Sequence, residues 1–177
     1  MEARGYEAFP TLARLAGQPD VSCEGVAQRS LIIDRVLAVA WRAPEHDDLI
    51  EVLDILHRES ESMGRKLLYL SVIGPRALPQ GDVRDELVGF YRDVLMYCDS
   101  MHVVIEGNEF EVSIKRSVIA NVLLVVQGRG RIFIENSLDR ICAVSPIDLR
   151  NELTTAVRAA NDAHLFDFAR SAPPLPL

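Results

Sequence analysis

Short apolar runs alternating with amphipathic stretches constrain the fold of this chain more than any other feature. The apolar runs have the length of strands and lie at residues 31–41, 67–73, 101–105 and 131–134. The stretches with helical spacing lie at residues 44–63, 81–98, 108–127 and 145–163. Strands that alternate with helices are typical of α/β proteins with a parallel sheet. We therefore expect an α/β fold with a mixed, mostly parallel sheet of four to five strands and about four main helices.

The length of 177 residues predicts one domain. We assign residues 1–25 to an N-terminal extension, 26–164 to the α/β domain and 165–177 to a C-terminal tail. The proline-rich end of the tail, 171–177, cannot continue a helix.

Charge and hydropathy exclude several classes of function. The net charge of −7 argues against a nucleic-acid partner, which needs a basic face. No apolar run approaches the ~20 residues that span a bilayer, so stable membrane insertion is not expected. The first residues contain no apolar segment of the secretory type. The three cysteines have no short spacing and are interpreted as reduced thiols, which predicts a cytoplasmic protein.

The first two strands are predicted to form a hairpin. Residues 26–33 and 35–42 would pair around a turn at Asp34 and Arg35. The second strand is apolar throughout, which is typical of a central strand buried on both faces. The first contains polar residues and is predicted to be an edge strand.

Helix-boundary residues place the helices that follow. Pro44 fits a first helical position, and Gly64 fits a C-terminal stop. The second helix is predicted to begin near Asp82 and to carry Cys98 on its apolar face. The last helix would be capped by Ser145.

The third helical stretch, 108–127, has two interpretations. It is rich in β-branched residues, which disfavour a helix, so a strand over 122–126 is the alternative. We favour the helix because the stretch is long and Gly128 to Gly130 can end it.

Acidic side chains follow three of the predicted strands at the point where a helix begins, in the loops 42–48, 74–86 and 106–111. Ligands of open α/β sheets bind at these carboxyl ends, and phosphates bind there to free helix N-termini. The carboxylates that would repel a phosphate are Glu45, Asp47, Asp48, Asp82, Asp85, Glu86, Glu106, Glu109 and Glu111. The sequence therefore predicts no nucleotide cofactor.

Metal and nucleophile motifs are also not found. Cys98 and His102 are a lone pair, which is more typical of a structural role than of a metal site. Ser71 lies inside a predicted strand and not at a sharp turn. We therefore predict no catalytic, cofactor or metal residues; if the protein is an enzyme, Asp99, His102 and the loop 74–81 are the places to examine.

The order of elements resembles the SpoIIAA-like branch of the STAS domains. The resemblance covers residues 26–163 and is carried by 35–41, 67–73, 102–105 with 110–126, and 131–134 with 145–157. It implies a non-catalytic module that binds a protein or a small ligand. The anti-sigma-factor antagonists of that family are phosphorylated at a serine in an Asp-Ser-x-Gly turn that opens a helix. The matching loop here, 73–82, contains no serine or threonine, so we do not expect a phosphorylation switch.

Two functions are consistent with these features. The first is a non-enzymatic interaction or regulatory module that binds a protein partner or itself as a homo-oligomer. Its candidate interaction loop consists of Gly74, Pro75, Arg76, Pro79, Gly81 and Asp82. The alternative is a carrier of a small apolar ligand or lipid. It is motivated by a hydrophobic content of 49% with only 6% aromatic residues, which could leave a cavity between helices and sheet.

Overall fold

The computed structural model describes residues 20–24, 28–75, 77, 83–107, 113, 117, 119 and 130–171. The strands in these residues are Asp20–Glu24 (β1), Gln28–Ile33 (β2), Val36–Trp41 (β3), Leu67–Ile73 (β4), Cys98–Ile105 (β5) and Ile132–Glu135 (β6). The helices with described bounds are His46–Met63 (α1), Val83–Tyr97 (α2), Leu138–Val144 (α3), Ile147–Asp162 (α4) and Leu165–Arg170 (α5).

The strands form one mixed sheet in the order β1-β2-β3-β4-β5-β6. The pairs β1–β2 and β2–β3 are antiparallel, and the pairs from β3 through β6 are parallel. The predicted α/β fold class and mostly parallel sheet are confirmed. The sheet has one strand more than expected, because Asp20–Glu24 pairs with β2.

Helices cover both faces of the sheet. One face packs against α1 and α2 through a core that includes Val52, Leu56 and Val94. The other face packs against α3, α4 and α5 through Ile141, Leu153 and Phe166. Because β3 and β4 contribute to both cores, every one of their residues is buried. This confirms the prediction that the apolar strand after the hairpin is central.

The prediction that the first hairpin strand lies at the edge is wrong. β2 is hydrogen-bonded on both sides, to β1 and to β3. Its polar residues Gln28 and Ser30 are buried in the described structure. The turn at Asp34 and Arg35 is confirmed, and Asp34 adopts a positive φ of 53° there.

The boundaries of α1 and α2 differ slightly from the predicted ones. α1 begins at His46 with Glu45 at the N-cap position, so Pro44 lies before the helix and not at its first position. α1 ends at Met63 and is followed by Gly64, whose φ of 61° suits a helix stop. α2 ends at Tyr97, so Cys98 opens β5 and does not lie on a helix. Cys98 is buried, and burial raises the pKa of its thiol to about 12, which disfavours the reactive thiolate.

The C-terminal part differs more from what the sequence predicts. Ser145 ends α3 and does not cap the last helix; Pro146 occupies the N-cap position of α4. Residues 165–170, predicted to belong to a tail, form α5. This helix packs on the sheet with Leu165, Phe166 and Phe168 buried, so it belongs to the domain core.

The third helical stretch is described at three positions only. Ser113, Ser117 and Ile119 are helical, and Ile119 joins the core formed with α1 and α2. The remainder of 108–127 lies outside the described residues. Among the helices that are described, none combines the length and apolar character needed to cross a bilayer.

Candidate functional site

The carboxyl ends of the parallel strands meet at one edge of the sheet, which is where α/β proteins bind ligands. Backbone hydrogen bonds join the ends of neighbouring strands there. The Gly74 N–H donates to the Trp41 carbonyl at 3.0 Å, and the Glu106 N–H donates to the Ile73 carbonyl at 2.9 Å. We call this the carboxyl edge. It brings together the residues that follow β3, β4 and β5.

Helix α5 contacts the carboxyl edge at Gly74. A Cβ atom placed on Gly74 would lie 1.9 Å from the Ala169 carbonyl oxygen and 3.1 Å from the Trp41 carbonyl oxygen. Only glycine therefore permits this approach of two backbones. The Ala77 N–H donates to the Gly74 carbonyl at 3.1 Å, and Ala77 is buried. The chain after β4 thus begins with an anchored turn.

The structure describes only the first part of the predicted interaction loop. Gly74 and Pro75 lie at the carboxyl edge. Arg76, Pro79, Gly81 and Asp82 lie outside the described residues.

Three acidic side chains of the carboxyl edge have defined partners. Asp48 Oδ2 accepts from the Glu45 N–H at 2.8 Å. Glu86 Oε2 lies 2.7 Å from His46 Nδ1, and this hydrogen bond raises the pKa of His46. Glu106 accepts two hydrogen bonds from Arg170, at 2.7 and 2.8 Å.

The partners of these carboxylates differ in kind. Asp48 binds the backbone at the start of its own helix. Glu106 and Glu86 instead bind side chains from other elements, α5 and α1.

An aromatic ring and two arginines lie together at the carboxyl edge, on the face of the sheet that α5 covers. The guanidinium carbon of Arg42 is 3.9 Å from the centre of the Phe168 ring, and that of Arg29 is 5.2 Å from it. Burial, and then repulsion by Arg29, lower the pKa of Arg42. Sequence reasoning missed this cluster, because its three members come from β2, the end of β3 and α5.

A second polar cluster lies inside the sheet. His102 on β5 is fully buried, with Nε2 at 2.8 Å from Ser100 Oγ and Nδ1 at 3.1 Å from Ser145 Oγ. Ser145 Oγ donates its single proton to the Ile141 carbonyl at 2.5 Å. Ser145 must then accept from the Nδ1–H of His102, and Nε2 accepts from the Ser100 hydroxyl.

This arrangement aligns a serine hydroxyl with an imidazole base, but the pair is enclosed. Ser100 and Ser145 are 3% and 2% exposed, and the His102 ring stacks on Phe133 with 5.0 Å between ring centres. Burial lowers the pKa of His102 to about 4, which keeps the ring neutral. The cluster joins β5 to the end of α3. Its geometry supports a structural role.

Asp99, the other position singled out for examination, lies at the opposite edge of the sheet from Glu106. It accepts a hydrogen bond of 2.8 Å from Arg35, which also binds Glu152 at 2.5 and 2.9 Å. These groups connect the β2–β3 turn, β5 and α4. In the described part of the chain, no three histidine, cysteine or acidic side chains form a group that could hold a metal ion.

Comparisons with protein families, with curated proteins and with solved structures found no match to this chain. The resemblance to STAS domains therefore stays a prediction. The fold and the carboxyl edge define an α/β domain in which α5, the last helix that the structure describes, contacts the carboxyl edge at Gly74.

Proposed function

We propose that this protein is a non-enzymatic interaction or regulatory module that binds a partner protein or a second copy of itself through the loop beginning at Gly74 and Pro75. The observation that carries the proposal is the anchored base of this loop. Gly74 is hydrogen-bonded to β3, lies against α5, and accepts from the buried Ala77. A fixed base lowers the entropic cost of ordering a loop when a partner binds, which favours recognition.

The non-enzymatic part of the proposal is supported by the polar groups in the described core. His102 uses both ring nitrogens in hydrogen bonds to buried serines. The Glu106 carboxylate is held by Arg170. These side chains, which have the chemistry for catalysis, are engaged in contacts between elements of the fold.

Self-association is supported by an apolar corner between α3 and α4. Val144 is 46% exposed and Ile147 is 81% exposed, although both are large apolar side chains. Such residues often mark a contact with another chain when they lie together. Light scattering across a range of protein concentrations tests this part. Ile147→Ser should shift the protein towards monomer, and Ile50→Ser, at a half-exposed position on α1, should not.

The loop itself is tested by charge reversal at Arg76. A tagged protein with Arg76→Glu should lose a partner that the wild-type protein captures from native lysate, or should lose its own dimer. Arg158→Glu, an exposed position on α4, is the matched control and should retain both. A wild-type protein that captures nothing and remains monomeric at all concentrations would contradict the proposal. We expect this module to act in the cytoplasm with reduced cysteines.

The alternative function, a carrier of a small apolar ligand or lipid, stays a prediction. It requires a cavity between a helical layer and the sheet. Native mass spectrometry of the purified protein would detect a co-purified ligand as added mass, and a mass equal to that of the polypeptide would count against it.

A further inference from the structure

Strand β2 carries two polar side chains into the core that the sheet forms with α1 and α2. Gln28 and Ser30 are 0% and 1% exposed. They lie on the same face of β2 as Ile32, which belongs to that core, whereas Arg29 between them contacts Phe168 on the other face. Gln28 Oε1 and Ser30 Oγ are both buried, and in the described part of the chain neither has a hydrogen-bond partner.

The orientation of the Gln28 amide is set by helix α1. Gln28 Nε2 donates to Glu51 Oε2 at 3.1 Å. Because a carboxylate accepts hydrogen bonds, the amide nitrogen must face Glu51, and the amide oxygen is left to bind something else. Gln28 Oε1 can only accept, whereas the Ser30 hydroxyl can donate or accept. A ligand that binds both atoms must therefore be a hydrogen-bond donor towards Gln28.

The strand next to Ser30 is irregular. Val21 and Cys23 of β1 pair with Leu31 and Ser30, which are consecutive residues of β2. Ser22 is therefore an extra residue of β1, as in a β-bulge, and the ladder between the two strands is interrupted beside Ser30. Such an interruption leaves backbone polar groups without a ladder partner, and a polar site of this kind can hold a water molecule.

We propose that Gln28 Oε1 and Ser30 Oγ bind one buried water molecule beside the irregular step of β1. The water donates to Gln28 Oε1 and shares a second hydrogen bond with Ser30 Oγ. Both oxygens are neutral, which fits a neutral ligand, and buried polar atoms are nearly always hydrogen-bonded to protein or to ordered water. The water links the edge of the sheet to α1 through Gln28 and Glu51. This site goes beyond the proposed function and does not depend on it.

A crystal structure of the full-length protein, at a resolution that shows ordered water, tests the site directly. We expect a density peak within about 3.2 Å of both Gln28 Oε1 and Ser30 Oγ. A peak that contacts only one of these atoms, or no peak, would overturn the proposal.

A double-mutant cycle tests the same site in solution by urea unfolding. Ser30→Ala should raise the equilibrium constant for unfolding about fivefold, because the water loses a partner. If Ser30 Oγ instead has no ligand, its removal should leave that constant unchanged or lower it. Ser30→Ala and Gln28→Met should be coupled by about fivefold, since each substitution disrupts the same water.

The matched control is the cycle of Ser30→Ala with Ile32→Val. Ile32 lies on the same face and is also two residues from Ser30, so this cycle reports coupling through packing alone. We expect a coupling factor near one. Equal coupling in the two cycles, or a Ser30→Ala variant as stable as the wild-type protein, would contradict a shared water. If Gln28→Met does not fold, the Ser30→Ala result and the density decide.

Discussion

Replacing Gly74 by alanine tests the docking of α5 on the carboxyl edge. The added methyl carbon would lie 1.9 Å from the Ala169 carbonyl oxygen and 2.7 Å from its carbon. Both are backbone atoms, which cannot rotate aside as a flexible side chain does. Either α5 or the end of β4 must move, and the burial of Phe168 and Ala169 is reduced. We expect the free energy of unfolding to fall by about 3 kcal/mol, the upper part of the range for overpacking.

The assay is urea unfolding followed by circular dichroism, with a thermal melt in parallel. For a domain of this size a loss of about 3 kcal/mol lowers the midpoint temperature by about 6–12 °C. Gly89→Ala is the matched control. Gly89 is exposed inside α2, and a Cβ there meets nothing within 4 Å. That variant should gain about 0.5–1 kcal/mol from helix propensity. If Gly74→Ala unfolds at the wild-type urea concentration while Gly89→Ala is stabilised, α5 does not contact Gly74 as described.

Two further predictions concern the two polar clusters that involve β5, around His102 and around Arg35. Because burial lowers the pKa of folded His102 from 6.5 to about 4, the unfolded chain binds the proton first as pH falls. The equilibrium constant for unfolding should then rise by up to about tenfold per pH unit as the pH falls from about 6 to about 4. His102→Gln should lose this dependence of stability on pH. If the pH slope of that variant is unchanged, His102 is not a buried neutral imidazole. Arg35→Ala removes the hydrogen bonds to Glu152 and Asp99 from a side chain that is 13% exposed. This variant should lower the free energy of unfolding, measured with urea, by about 1–2 kcal/mol, a value between the ranges for surface and buried ion pairs. A decrease no larger than that of Arg158→Ala would refute the reasoning.

Much of the sheet could be predicted from local pattern. The run 67–73 matches β4, and the apolar strand that ends at Trp41 is buried on both faces. Gly64 ends α1 with a left-handed φ. These features depend on residues close in sequence. Periodicity and turn chemistry report such residues directly.

The errors occur where contacts between distant residues decided the structure. β2 contains polar residues typical of an edge strand, but β1 pairs with it and makes it internal. The last predicted helix begins after Ser145, because that hydroxyl is engaged by His102 and Ile141. The segment 165–170, predicted to be part of a tail, has a short apolar pattern that becomes a helix only by packing on the sheet.

In the candidate site, too, local features could be predicted from the sequence and contacts between distant residues could not. The position of Gly74 and Pro75 at a strand end is enough to locate the loop after β4, but it does not reveal that α5 anchors Gly74. The cluster of Arg29, Arg42 and Phe168 has no signal in the sequence, because its members are far apart along the chain.

The sequence by itself therefore determined the α/β class, the central strands and the edge at which strands meet helix starts. Hydrophobic periodicity carries that information, since each helix or strand must bury one of its faces. Only the tertiary structure decided which residues come into contact at the carboxyl edge. The contacts of Gly74 with Ala169 and of Arg42 with Phe168 depend on packing between elements, which no local sequence pattern indicates.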